Sequence, residues 1–60
     1  MNVYSLLDLF RYNDDDVYIF DVGKEEYLYK GEIRDVPMEI GHIEVKNIEF
    51  TEYGVPLINV

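Results

Sequence analysis

The chain has no cysteine, one histidine, two prolines and only five basic residues in 60. Each shortage closes off a class of chemistry. Without cysteine there is no disulfide framework, no thiolate zinc site and no thiol nucleophile. The hydroxyl nucleophiles are Ser5 and Thr51, and the single imidazole is His42. Ser5 falls in a helical pattern, and nothing around it resembles a nucleophile elbow or an oxyanion loop, so a Ser-His-Asp arrangement is not expected. His42 reads as a surface residue at a helix end, where the dipole favours a cation. No apolar run approaches the roughly 20 residues of a membrane span. The Met1-Asn2 start carries no basic segment leading into an apolar one, so no secretory signal is expected and the cytoplasm is the expected compartment. Glycines 23, 31, 41 and 54 are scattered and build no phosphate loop.

What is abundant is acid. Thirteen carboxylates face Arg11, Lys24, Lys30, Arg34 and Lys46, for a formal charge of −8. Phosphate contacts need clustered lysine or arginine, so direct nucleic-acid binding is disfavoured, and anionic membranes are repelled. Hydrophobic residues make up 48% and aromatics 15%, more than a disordered acidic tail carries. A folded single domain over residues 1–60 is expected. At this length only about 60% of the unfolded surface is buried, so oligomerisation or a partner would help to stabilise it.

Val3, Leu6, Leu7 and Phe10 lie at helical spacing, with Asn2 placed to cap, which predicts an amphipathic helix of two to three turns. Tyr12-Asn13-Asp14-Asp15-Asp16 ends it in a loop, because adjacent carboxylates repel and Asn and Asp favour turns. Val17–Val22 is apolar on both alternating faces, as a central strand is. Gly23–Glu26 makes a turn. Tyr27–Ile33 returns as a second strand, with Tyr27, Tyr29 and Ile33 on one face and Leu28, Lys30 and Glu32 on the other; Gly31 marks a bulge or a close backbone approach. Asp35 and Pro37 suit the start of a short helix that Gly41 ends. Ile43–Phe50 changes phase, predicting a bulge or a late strand start near Lys46-Asn47. Thr51–Gly54 is a turn and Val55–Val60 a last strand, with Pro56 at an edge, a start or an outward-facing position. The expected architecture is α+β: an N-terminal amphipathic helix packed on a small antiparallel sheet of two hairpins, αββ(short helix)ββ.

Asp14, Asp15 and Asp16 offer oxygen ligands for a hard cation. Counted from Asp14 as an EF-hand loop, however, the sixth place holds Ile19 instead of glycine, and only the twelfth, Glu25, matches. A solvated turn is the simpler reading, and no metal or cofactor is expected. Paired carboxylates for sugar chemistry fail because so small a fold offers little cleft. The six tyrosines, Tyr4, Tyr12, Tyr18, Tyr27, Tyr29 and Tyr53, join an apolar body to a polar tip. That suits interfaces, but in so small a domain packing under the helix with the hydroxyl at the rim is the first expectation for any one tyrosine, by about two to one, and at least one is expected to be exposed. The candidate binding residues are Asp14, Asp15, Asp16, Glu25, Glu26, Tyr27, Tyr29 and Glu32, where aromatic and acidic side chains are densest.

The short helix, Val17-Tyr-Ile-Phe-Asp21, Tyr29-Lys-Gly-Glu32, Asp35-Val-Pro37 and Val55-Pro-Leu-Ile-Asn-Val60 together resemble small uncharacterised acidic proteins from prophages and mobile elements of low-GC Gram-positive bacteria. That resemblance spans most of the chain. It implies an accessory or counter-defence role, including anti-CRISPR-type inhibition, and brings no catalytic residues. B-DNA carries one charge per about 1.7 Å of axis, so a dense carboxylate surface can imitate phosphates. The leading expectation is a non-enzymatic binding protein that presents acid to a basic nucleic-acid-binding host protein. The alternative is an accessory domain that self-associates, as a homodimer for example, through exposed tyrosines and a sheet edge.

Overall fold

The computed structural model describes residues 1–10 and 14–60. Helix α1 spans Val3–Leu7. Strand β1 (Asp16–Asp21) and β2 (Glu26–Glu32) form the first hairpin, and β3 (Asn47–Phe50) and β4 (Pro56–Asn59) the second. A 3-10 turn at Ile33–Asp35 and helix α2 (Met38–Gly41) lie between them. The fold is α+β, as expected.

Helix α1 is shorter than its periodicity predicts. Asn2 caps it as expected, accepting from the Ser5 amide at 2.9 Å. Beyond Asp8 the backbone tightens: Leu9 donates to Leu6 and Phe10 to Leu7, three residues back. A five-residue helix is far below the length at which helices hold alone, so packing fixes it. Val3 and Leu7 are buried in the core and Tyr4 lies on α2. Helix α2 starts after Pro37, which is the N-cap because its ψ of 148° is extended while its φ of −62° already suits the helix. The expected start at Asp35 is displaced because Ile33–Asp35 forms its own turn, closed by the Val36 amide on the Ile33 carbonyl.

The strand order is β2-β1-β4-β3. Both hairpins are antiparallel, but they meet through a parallel pairing of β1 with β4, so the sheet is mixed instead of antiparallel throughout. The two nearly continuous apolar strands take the centre, as parallel neighbours commonly do. Strand β3 starts late, at Asn47, and Pro56 opens β4 opposite Phe50. The residues before β3 pair instead with the N-terminal segment: Val3 donates to the Ile43 carbonyl and Val45 to that of Met1.

One face of the sheet carries the core. Val17, Ile19 and Ile58 are fully buried there beneath Val3, Leu7, Ile33 and Val36, and Val60 completes the cluster. The molecule measures 28 × 26 × 17 Å. With layers packing about 10 Å apart, the short dimension has room for the sheet and one covering layer. Among the described residues, no helix covers the other face of the sheet.

Candidate functional site

The open face gathers side chains from all four strands. Register places Tyr18 and Phe20 of β1 level with Lys30 and Tyr27 of β2 on one side, and with Leu57 and Asn59 of β4 on the other. The rings form one cluster with Tyr27 as its hub. Tyr27 meets Phe20 at 5.0 Å between centroids and 70°, and Tyr18 at 6.0 Å and 79°, the edge-to-face geometry that ring quadrupoles favour. Lys30 Nζ lies 4.2 Å from the Tyr27 centroid and 5.8 Å from that of Tyr18. Tyr18, Phe20 and Leu57 are half-buried and Tyr27 is 48% exposed. A polar strip flanks the cluster: buried Asn59 donates from Nδ2 to Asn47 Oδ1 and to Glu49 Oε2, each at 2.7 Å.

A bulge builds this face. Ile19 pairs with Tyr29 and Phe20 with Tyr27, leaving Leu28 as the extra residue on β2. Leu28 and Tyr29 therefore both turn to the core side, where they pack on the buried cluster. The strand alternation that put Tyr27 and Tyr29 on one face is thus corrected: Tyr27 joins the open face with Lys30, and Tyr29 the covered one. Gly31 is the close approach. The Tyr29 ring folds over it, so that a Cβ there would lie 2.9 Å from the hydroxyl, and that hydroxyl donates to the Glu32 carbonyl at 2.6 Å. The Tyr29 phenol is pushed up from 10.0, first by burial and then by the charges of Asp35, Glu32 and Asp16.

The acidic candidates divide between the two ends of the first hairpin. Asp14, Asp15 and Asp16 are exposed at one end, where Asp16 pairs with Glu32, and Glu32 accepts from Arg34 Nε at 3.1 Å. Glu25 and Glu26 lie at the other, in and beside the turn. There Asp21 Oδ1 accepts the Lys24 amide at 3.1 Å and Glu25 takes a φ of 55°. Five residue steps of strand, roughly 17 Å, separate the two groups, with the aromatic cluster between them. The remaining acids, from Asp8 to Glu52, are distributed over the surface, and every carboxylate is exposed or half-exposed. Tyr12 and Asn13 of the acidic loop lie outside the described residues.

Tyr18, Phe20, Lys30 and Leu57 escaped the sequence reading. For Tyr18, Phe20 and Leu57 the signal was the two-faced apolarity of β1 and β4, which reads as a strand buried on both sides; nothing local marked Lys30. Here β1 is covered on one side and aromatic on the other.

Away from the aromatic face, a concavity of about 430 Å³ opens at the end of the sheet nearest Asp15 and Asp16, lined by Phe10, Ile33, Phe50, Val55 and Pro56. Its polar side chains are those two carboxylates. Among the described residues no three His, Asp or Glu side chains converge closely enough to hold a metal ion, and no hydrogen bond joins Ser5 to His42, which caps α2 edge-on to the Tyr4 ring. No helix among the described residues is long and apolar enough to cross a membrane. Comparisons with family models, curated proteins and solved structures find no match to this chain.

Proposed function

We propose that this is a non-enzymatic binding protein whose open sheet face docks on a basic surface of a partner protein, as an inhibitor of a nucleic-acid-binding protein would. One observation carries the reading: an uncovered cluster of Tyr18, Phe20, Tyr27 and Leu57 stands between two carboxylate groups on a chain of charge −8. Aromatic side chains are the usual anchors of interfaces. The acids at either end would steer a cationic partner and repel an anionic one. The resemblance to prophage accessory proteins supports the inhibitory direction.

The test is displacement of a labelled oligonucleotide from purified basic nucleic-acid-binding domains. Displacement at low salt is expected, weakening as the Debye length falls from about 10 Å at 0.1 M to 3 Å at 1 M, and weakening in Asp14→Asn/Asp15→Asn/Asp16→Asn and in Tyr27→Ser. Failure to displace at low salt from any domain refutes the proposal. Exposed Phe50 and Tyr53, at 63% and 86% of their surface, favour a second reading, self-association through the β3–β4 end. A dimer mass by light scattering that persists in high salt and is lost in Phe50→Ser would support it.

A further inference from the structure

The Tyr18 and Tyr27 rings, at 79° to each other, form an open corner on the exposed face, and a cation already sits in it. That cation is Lys30 of the same chain. Among the described residues the ion pairs are those of the N-terminal amine with Glu44 and of Arg34 with Glu32, so the Lys30 ammonium rests on ring faces instead of a carboxylate. We infer that the corner is a guanidinium site: an arginine of a basic partner segment stacks on Tyr27 and Tyr18, displacing Lys30, which occupies the site in the free protein. This rests on the basic-partner reading above and specifies where on the open face that partner is held and by which side chain.

Three features favour arginine as the occupant. A planar guanidinium stacks on an aromatic face and is more weakly hydrated than an ammonium, so it gives up less on entering a ring-lined corner. The net charge of −8 draws a cation toward the molecule and disfavours an anion. An acceptor also shares the open face, since Asp16 stands two residues from Tyr18 on β1 and takes part in none of the ion pairs among the described residues. A guanidinium stacked on Tyr18 and Tyr27 has this carboxylate on the same face, which a planar fork can use while stacked and a point-like ammonium uses less well. Lys30 is tethered to the site and is held there by an exposed cation–π contact, among the weaker interactions in proteins. It can be displaced at little cost.

The experiment compares polyarginine and polylysine peptides of equal length and charge, by calorimetry and by ring-proton NMR of the aromatic cluster. The wild type should bind polyarginine the more tightly, with the largest shifts at Tyr18 and Tyr27. Tyr27→Leu should abolish that preference while both peptides still bind through charge. Lys30→Thr, which empties the corner, should raise polyarginine affinity about two- to five-fold beyond the gain from Lys24→Thr. Lys24→Thr removes the same charge from the hairpin turn and so controls for electrostatics. Equal binding of the two peptides to the wild type, or a preference that survives Tyr27→Leu, overturns the corner and leaves the basic-partner reading standing. Absence of binding by either peptide at low salt overturns both. The half-exposed edge position of Tyr27 lets Tyr27→Leu fold, and the two lysine variants test the corner without altering its rings.

Discussion

Single side chains hold this small fold at points where there is no room for another choice. Gly41 is one: it is buried, and the Tyr4 ring occupies the space its Cβ would fill. Gly41→Ala must push out Tyr4, and with it the hydroxyl bond to the Val36 carbonyl at 3.2 Å and the edge contact with His42. A cost of about 1–3 kcal/mol is expected, a large share of the roughly 3–9 kcal/mol available to a chain of this size, and a thermal melt followed by circular dichroism measures it. Tyr29 is another. Its phenol pKa is raised in the folded state above the unfolded value of 10.0, so the folded protein holds that proton more tightly. The resulting stability is complete below pH 10 and is lost as the pH climbs through the folded value. Urea denaturation should show stability falling above about pH 10, and Tyr29→Phe should flatten that fall while costing about 1 kcal/mol near neutrality for the lost hydroxyl bond.

At the level of elements, both hairpins could be read from alternation and turn residues, and either a bulge or a late start for β3 from a phase change between Val45 and Ile48, of which the structure takes the late start. The parallel join could not. It depends on where the chain from Ile33 to Lys46 lands after crossing the core face, and that is set by the burial of Ile33 and Val36 against other elements and by the pairing of Ile43 and Val45 with the N-terminal segment. Local periodicity carries none of this. The bulge at Leu28 was hidden for a related reason: an extra residue in one strand is defined only against its partner, Ile19-Phe20. The candidate site shared that fate, because the position of Tyr27 beside Phe20 follows from the bulge. The join also locates the fold's weakest tolerance. Ile58 is fully buried between Ile19 and Ile48, whereas Ile48 on the edge strand is half-buried. Ile58→Ala should cost about 2–5 kcal/mol, enough to unfold much of the population, and Ile48→Ala clearly less; the urea midpoints of the two variants provide the comparison.

For the whole molecule the dominant quantity is charge. Carboxylates spread over the surface repel one another in the compact state, so salt should stabilise the fold while weakening its binding to a cationic partner. Relief of about 1 kcal/mol corresponds to a rise of about 4–8 °C in Tm for a domain this small, and a melt at about 0.02 M and about 0.3 M salt reads it. The opposite signs separate an effect on folding from one on binding.

The parallel pairing of Ile19 with Ile58 also sets the order in which the molecule can assemble. Each hairpin closes a short loop and can form early, whereas the central join must bring together strands separated by most of the chain before it gains any contact. An isolated hairpin is only marginally stable, so we expect the central join to form in the rate-limiting step. Ile58→Val should slow refolding in a stopped-flow denaturant series and leave unfolding nearly unchanged.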